Sequence, residues 1–403
     1  MAVWKFISME SVVGTQRVKE TLASSLSNSS LIISQNSELH YKKRIPIHKG
    51  WVEFICDSEQ LDFGCIRKLL GFISELHNRY RQMGMSLSLR FKEMYSVDKL
   101  TIQILECIVY SLIVDYHYNI SLQMSFSSQI HTESFNYTPL SHLSSNKYSI
   151  TAFIKAFEMD TRVTHYRRIV PKEWSEDGRL GSVIYSDIAQ TIRNSVDDDE
   201  YINKMTEVIT ELINNANEHN DSDCLIDVDI SGDYKKTTDL QGRYKGINVS
   251  VISFSRRIVP DLLKEKIYNM KFPKERYSVV ARAFSSHKSF FGEVYTEDDF
   301  FTIASFQNKI SGREADYSSG GTGLTKLIQS LEDYSDSSTC YMVSGKRALY
   351  FLQDYLDIDK EGWIGFNHEN NFRDYPPDQH VVSQSPIYIP GVAYNLTFVY
   401  KKE

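Results

Sequence analysis

The most informative stretch of this sequence is Glu211-Leu-Ile-Asn-Asn-Ala-Asn-Glu-His219, in which several polar residues, three of them asparagines, lie within a predicted helix. Apolar residues recur every three or four positions between Ile202 and Ala216, so residues 201–219 are predicted to form an amphipathic helix. Three asparagines within four positions are unfavourable in that helix, since the asparagine side chain competes for backbone hydrogen bonds. A functional site would explain this cost.

The polar side chains of this helix are spaced for metal and phosphate chemistry. Glu211 and Asn215 stand one turn apart on one face, with Asn214 and Glu218 beside them. An amide oxygen is a neutral, hard ligand that suits Mg²⁺, which keeps several waters and shares phosphate oxygens. A carboxylate one turn earlier can orient or deprotonate a water near a terminal phosphate. The alternative is a frayed, solvated helix end, since the residues after Ala216 are polar and lead into a turn.

A second feature, Ser318-Ser-Gly-Gly-Thr-Gly-Leu324, follows roughly 105 residues later. It concentrates three of the chain's 19 glycines in four positions, directly before a helical pattern at residues 325–331. Glycine lets the backbone approach a ligand closely, and the free amides at a helix start favour phosphate. No Gly-Lys-Ser/Thr follows, so this is not a Walker A loop, and the spacing is not that of a dinucleotide fingerprint.

Together, and in this order, the two elements resemble the N-box and the second glycine box of the GHKL family, which includes DNA gyrase, the histidine kinases and MutL. The first stretch is similar to the pattern Glu-Leu-x-x-Asn-Ala-x-x-His, and Gly-Gly-Thr-Gly-Leu is similar to the glycine box. Alternating apolar residues predict strands at 225–230, 247–252 and 387–400, the last with the Gly-x-x-Tyr-x-Leu-x-Phe pattern of a closing strand. The resemblance spans roughly residues 180–403. It implies a Bergerat-type α/β sandwich that holds ATP under a mobile lid.

The resemblance also implies roles for individual residues. Asn215 matches the family's Mg²⁺ ligand, and Glu211 matches the carboxylate that acts as general base in the hydrolysing branches. The implied cofactors are therefore ATP and Mg²⁺. The other implied nucleotide-binding positions are Asn214, Glu218, His219, Ser253, Ser255, Gly320, Gly321, Thr322, Gly323, Leu324 and Thr397.

One part of the chain departs from the family pattern. The first glycine box, Asp-x-Gly-x-Gly, should follow the second strand, but this chain has Ser253-Phe-Ser-Arg-Arg257 there. Ser253 replaces the aspartate that receives the adenine amino group, and a serine hydroxyl is neutral and reaches less far. Adenine selectivity is therefore in question. Arg256 and Arg257 either reach toward phosphates or form a solvated pair at the strand end.

Residues 258–319 occupy the place where this family keeps its ATP lid. Within them, residues 284–291 are aromatic and basic. This segment, which includes Lys288, is predicted either to cover a nucleotide or a partner, or to pack as the core of the lid.

An α/β unit precedes this region at residues 45–126. Strand patterns at 51–56, 85–91 and 120–126 alternate with helical patterns at 66–82 and 100–114, an order similar to that of the STAS domain. Asp98 stands where STAS antagonists carry a phosphorylatable serine, with Ser96 nearby, and the alternative is that it caps the helix that begins near Lys99. The predicted fold class is thus a two-domain α/β protein. Residues 1–44 are unassigned, 127–146 are a predicted linker, and 147–403 form the GHKL-type domain.

The composition limits the classes of function. The 403 residues carry 45 basic and 52 acidic side chains, a net charge of −7, so no overall field attracts nucleic acid or a membrane surface. The five scattered cysteines indicate neither a disulfide framework nor a zinc site. No long apolar run or signal peptide is found, so we expect a cytoplasmic protein.

Three functions fit these patterns. The first is an ATP-driven switch with slow Mg²⁺-dependent hydrolysis that regulates a protein partner in bacterial signalling or defence, with a homodimer left open. The second is a protein Ser/His kinase of the same fold. The third is a degenerate domain that binds a nucleotide or a partner without turnover, which the Ser253 replacement motivates.

Overall fold

The computed structural model describes residues 26–402, apart from 46, 49–50, 81–85, 97, 127–133, 145–147, 176–177, 221, 237–238, 271–274, 309, 311–322 and 337–338. Within these residues the chain is a mixed α/β protein with one mainly parallel sheet and one antiparallel sheet. None of the described helices is both long enough and apolar enough to cross a membrane.

The amino-terminal unit has the predicted β-α-β-α-β order. Its elements are α1 (Leu31–Ser34), β1 (Ile47–His48), β2 (Trp51–Cys56), β3 (Gln60–Leu61), α2 (Phe63–Tyr80), β4 (Ser86–Ser96), α3 (Lys99–Val114) and β5 (Asn119–Phe126). Strand β4 pairs in parallel with β2, β3 and β5, while β1 is antiparallel to β2. The helical crossovers α2 and α3 make this parallel pairing possible, since parallel strands cannot be joined by a tight turn.

Short helices follow where a linker was predicted. They are α4 (Ser134–Tyr137), a 3₁₀ turn at Pro139–Leu143 and, beyond residue 147, α5 (Ile150–Glu158). Leu140 and Leu143 are fully buried. The described part of residues 127–146 is therefore packed against the core rather than extended through solvent.

The carboxyl-terminal part forms a six-stranded antiparallel sheet with helices. Its elements are β6 (Met159–Arg162), β7 (His165–Val170), α6 (Gly178–Arg193), α7 (Asp199–Asn220), β8 (Cys224–Lys236), β9 (Asp239–Ser253), α8 (Asp261–Tyr268), α9 (Glu275–His287), α10 (Glu297–Ser305), α11 (Gly323–Tyr334), β10 (Tyr341–Tyr350) and β11 (Val382–Lys401). The spatial order is β10-β11-β9-β8-β7-β6. The three strands predicted in this region are confirmed as β8, β9 and β11.

The large sheet separates two hydrophobic cores. Because side chains alternate along a strand, Ile226 and Val228 of β8 enter the core beneath α6, α7 and α11, whereas Leu225 enters the opposite core. That second core also contains the buried faces of α2, α3 and α5. The amino-terminal unit thus shares its core with the large sheet.

In the described part of residues 258–319, where a lid was predicted, the chain forms the helices α8, α9 and α10. Their apolar side chains, including Phe284, Phe300 and Phe301, are buried in the first core. His287 is also buried: its Nε2 donates to the Phe372 carbonyl at 3.0 Å, and its Nδ1 lies 2.7 Å from Tyr295 Oη. Phe284 and His287 are therefore interior residues, in line with the second of the two interpretations of segment 284–291.

Candidate nucleotide site on the asparagine helix

Helix α7 contains the predicted amphipathic segment and extends it slightly at both ends. Its buried apolar residues are Ile202, Met205, Val208, Ile209, Leu212, Ile213 and Ala216. Because they are spaced by three or four residues, these side chains lie on one face of the helix, and this face packs against the sheet. Asn215 lies at the edge of this face with 9% exposure, and Glu211 is partly exposed.

Helices α7 and α11 run antiparallel to each other. Near the start of α7, Lys204 Nζ lies 2.7 Å from Asp333 Oδ2 at the end of α11. One turn later on α7, Glu207 pairs with Lys326 in the first turn of α11. The hydrogen bond from Lys326 to Glu207, together with the charges of Glu207 and Glu211, raises the pKa of Lys326. The asparagine-rich end of α7 and the start of α11 therefore lie at the same end of the helix pair.

Three asparagines of α7 carry buried polar atoms without a partner among the described residues. These atoms are Asn214 Oδ1, Asn215 Nδ2 and Asn217 Oδ1. Asn217 uses its Nδ2 to donate to the Pro171 carbonyl at 3.0 Å. Buried polar groups in native proteins are nearly always hydrogen-bonded, so three exceptions within one helical turn indicate a place for a polar ligand. Asn217 had no role in the sequence-based site, although it is the third asparagine of the same stretch.

Ser253 lies on the α7 side of the sheet, but its hydroxyl already takes part in hydrogen bonds within the protein. It is fully buried, and its Oγ donates to the Asp223 carbonyl at 3.0 Å and lies 2.9 Å from Ser222 Oγ. Ser222 Oγ in turn donates to the Phe254 carbonyl at 2.8 Å. The Ser253 hydroxyl is thus occupied by hydrogen bonds within the end of the strand.

Ser255 and Thr397, the other two predicted polar residues, take part in hydrogen bonds elsewhere. Ser255 is buried, and its Oγ accepts from the Arg257 backbone amide at 3.1 Å. Thr397 lies on the opposite face of the sheet, where its Oγ1 donates to Asn248 Oδ1 at 3.2 Å. Along β11 the residues on the α7 face are Tyr394, Leu396 and Phe398, so the two-residue period directs Thr397 away.

Several predicted site residues lie outside the described part of the chain. Gly320, Gly321 and Thr322 belong to the undescribed segment 311–322. Gly323 is the first residue of α11, and for Leu324, Glu218 and His219 only the helical backbone is described. The phosphate-binding turn and the end of the N-box therefore stay predictions.

The basic residues near the strand end are solvated. Arg256 and Arg257 are both exposed, in line with a solvated pair at the end of β9. Lys288 is exposed as well, with its Nζ 4.9 Å from the centre of the Phe284 ring.

A buried ionic cluster on the opposite sheet face was missed by the sequence analysis. Lys99, at the start of α3, lies 2.5 Å from Asp227 of β8 and also pairs with Asp229. Arg167 of β7 joins Asp227 to Glu106 of α3. The signal was present in the sequence as charged residues at alternate positions of otherwise apolar strands.

His165 extends this ionic cluster. Its Nε2 lies 3.1 Å from Asp227 Oδ1, and its Nδ1 lies 3.0 Å from Asp160 Oδ2. Burial alone would raise the pKa of Asp227, but Arg167, Lys99 and His165 hold it well below its usual range. Burial alone would lower the pKa of His165, but Asp227 and Asp160 raise it. The cluster therefore joins α3 to the large sheet through paired charges.

Comparison with protein-family models, with curated proteins and with solved structures finds no match to this chain.

Proposed function

We propose that this protein binds a nucleoside triphosphate with Mg²⁺ beside the carboxyl-terminal half of α7 and acts as a switch toward a protein partner in bacterial signalling or defence. The observation that carries the proposal is the set of buried, unpartnered amide atoms of Asn214, Asn215 and Asn217. They lie at the end of the helix pair where α11 begins. The resemblance to the GHKL family supports the same location.

The donor set fits the proposed ligand. An amide side chain offers either its oxygen or its nitrogen after rotation, so Asn215 can present an oxygen to Mg²⁺ and Asn214 or Asn217 a polar atom to phosphate. A bound Mg²⁺ would neutralise phosphate charge. The first turn of a helix has backbone amides without partners inside the helix, so the start of α11 would favour an anion. Glu211, one turn before Asn215 and partly exposed, would orient a water for hydrolysis.

A binding protein without turnover is the second candidate, and Ser253 favours it. Its hydroxyl is buried and bonded to Asp223 and Ser222, so the base end of the site lacks the family's carboxylate. A protein Ser/His kinase is the third candidate. In it, Asn215 would again bind Mg²⁺ and Glu211 would again be the catalytic carboxylate.

One assay separates these candidates. The purified protein is incubated with Mg²⁺ and ATP labelled on the γ-phosphate. Free labelled phosphate indicates a hydrolase, label on the protein or an added partner indicates a kinase, and bound but unconverted ATP indicates a binding protein. Absence of any nucleotide binding, with ATP and the other common triphosphates, would contradict the proposal.

Asn215→Ala tests the location of the site. We expect this variant to lose at least about tenfold in affinity for Mg·ATP, because the proposed metal ligand is removed, a loss of about 1.4 kcal/mol. Asn203→Ala is the matched control, since Asn203 is an exposed asparagine of the same helix near its other end. Affinity is measured by titration calorimetry. Equal affinity for Mg·ATP in the two variants would contradict the location of the site at Asn215.

A further inference from the structure

A cleft of about 390 Å³ lies on the other side of the large sheet from Asn215. It opens where the first residues of α2 and α3 meet strands β10 and β11. Asp62 follows β3 and Asp98 follows β4, so the cleft lies at the carboxyl ends of parallel strands. Ligands of open α/β sheets commonly bind at this edge.

The charged side chains in the described lining of the cleft are acidic. Its described lining includes Asp62 and Asp98 but no lysine, arginine or histidine. Burial raises the pKa of Asp98, and the charge of Asp62 raises it further. Hydrogen bonds from Thr101 and Tyr341 act in the opposite direction but do not cancel this shift. The charge of Asp62 acts on Asp98, so the two carboxyl groups lie near each other in the cleft.

At each of the two helix starts in the cleft, a backbone amide is already bound by an aspartate. Asp62 Oδ1 accepts from the Cys65 amide at 2.7 Å, and Asp98 Oδ1 accepts from the Thr101 amide at 2.7 Å. Each aspartate therefore caps its own helix. Their carboxylates also repel phosphate and carboxylate ligands.

Aromatic rings form another part of the lining. Phe63 and Tyr341 have ring centroids 6.5 Å apart and nearly perpendicular, and Tyr341 and Tyr350 have centroids 5.6 Å apart. The Tyr341 hydroxyl donates to Asp98 Oδ2 at 2.7 Å, which connects the aromatic and acidic parts. Aromatic faces next to carboxylates recognise organic ammonium groups through cation–π attraction and charge.

We infer that this cleft binds a small organic cation, an ammonium group on an apolar body, with Asp62 and Asp98 facing the charge and Phe63, Tyr341 and Tyr350 enclosing the apolar part. The volume is within the range of small-molecule sites, and the mixture of apolar walls with few polar groups is typical of them. The inference is independent of the nucleotide site, which lies on the opposite face of the sheet.

The test uses matched probes on the full chain. Phenethylammonium is compared with its neutral analogue 2-phenylethanol and with phenylacetate, and choline is compared with neutral 3,3-dimethylbutan-1-ol. Binding is measured by ligand-observed NMR titration. We expect each cation to bind at least about tenfold more tightly than its neutral analogue, and phenylacetate to bind most weakly. If neither cation exceeds its neutral analogue, the inference is wrong.

Asp62→Asn assigns the binding to the cleft. The asparagine amide oxygen can still accept from the Cys65 amide, so the cap of α2 is kept while the charge is removed. We expect affinity for phenethylammonium to fall at least about fivefold, with an unchanged unfolding midpoint. Asp57→Asn, at an aspartate with 53% side-chain exposure outside the cleft, should bind as the parent does.

Two more variants complete the design. Tyr350→Leu removes one ring while keeping apolar volume, and it should reduce the preference for the cation over the neutral analogue. Asn215→Ala should leave cation binding unchanged, which separates this site from the proposed nucleotide site. Full affinity in both Asp62→Asn and Tyr350→Leu would overturn the assignment to this cleft.

Discussion

Asn215 and Asn36 show how differently two buried asparagines can contribute to one protein. Asn36 is fully buried and satisfied: its Nδ2 donates to the carbonyls of Ile32 and Tyr388, and its Oδ1 accepts from the Tyr388 amide, each at 2.8 Å. Asn215 has a buried Nδ2 with no partner among the described residues. The first asparagine stabilises the fold, whereas the second costs stability and is better explained by a ligand.

Replacement by alanine should therefore change the free energy of unfolding much more at Asn36 than at Asn215. We expect Asn36→Ala to lower the free energy of unfolding by about 2–4 kcal/mol, since three hydrogen bonds are lost and their buried partners are left unpaired. Asn215→Ala should change it by less than about 1 kcal/mol, because an unpaired group is removed and alanine favours the helix. Urea denaturation without nucleotide measures both. A large loss of stability in Asn215→Ala would mean that its amide is bonded within the fold.

Glu211 carries the proposed catalytic role, and Glu207 supplies its control. Glu207 lies one turn earlier on the same helix and pairs with Lys326. If ATP is hydrolysed, Glu211→Gln should retain Mg·ATP affinity but lose phosphate release by about 10²-fold or more, since a positioned base contributes that much. Glu207→Gln should lose less than threefold, about 0.7 kcal/mol. Equal release from the two variants, measured in single turnover, would rule out Glu211 as the base.

At the scale of elements, the contact between the end of a strand and the start of the next helix determines which side chains meet. Cys56 ends β2 and Cys65 lies in the first turn of α2, which brings their sulfur atoms to 2.8 Å although both thiols are free. Both are almost fully buried. A hydrogen bond from Cys65 lowers the pKa of Cys56 to about 7.

This contact predicts a specific disulfide. The lowered pKa of Cys56 favours its thiolate, so diamide should join Cys56 to Cys65, and its diazene is reduced to the hydrazine. Peptide mass spectrometry after alkylation, without reduction, identifies the pair. Cys107, Cys224 and Cys340 should be recovered alkylated after unfolding, and Cys56→Ser should form no intrachain disulfide. Any other pairing would contradict the placement of β2 against α2.

At the scale of the whole molecule, buried charges connect the amino-terminal unit to the large sheet. Lys99 and Glu106 of α3 meet Arg167, Asp227 and Asp229 of the sheet. Such pairs are costly to desolvate, but removing one member leaves an uncompensated buried charge. The cluster therefore favours one orientation of α3 over its alternatives.

His165 makes this connection sensitive to pH. Asp227 and Asp160 raise its pKa above the ordinary value of about 6.5, against the effect of burial. A raised pKa in the folded state means that protonated His165 contributes stability that is complete below about pH 6.5 and is lost as the pH rises through the folded-state pKa.

The corresponding experiment compares free energies of unfolding from pH 6 to pH 9. We expect the parent protein to lose stability over this range relative to His165→Gln, at no more than about 1.4 kcal/mol per pH unit. His380→Gln, at an exposed histidine, should retain the slope of the parent. Identical slopes for the parent and His165→Gln would show that His165 does not change its protonation between the folded and unfolded states.

The sequence predicted elements well and side-chain environments less well. The α7 helix, the parallel unit and three strands of the large sheet follow from local periodicity, and Asp98 caps α3 as one of the two interpretations proposed. Thr397 was misplaced relative to Asn215, because a shift of one residue along a strand changes the face of the sheet. Ser253 was identified, but its internal bonds to Ser222 and Asp223 depend on a loop whose path the sequence does not reveal.

By itself, the sequence determined the mixed α/β class, the amphipathic helix at 201–219 and the asparagines that make it unusual, because these depend on the order of neighbouring residues. Only the tertiary structure decided that α7 and α11 lie antiparallel, that the acids and aromatic rings of the cleft face one another, and that Lys99 meets Asp227. These contacts join residues more than 100 positions apart in several cases. Their formation depends on how whole elements pack to bury apolar surface, which no local pattern specifies.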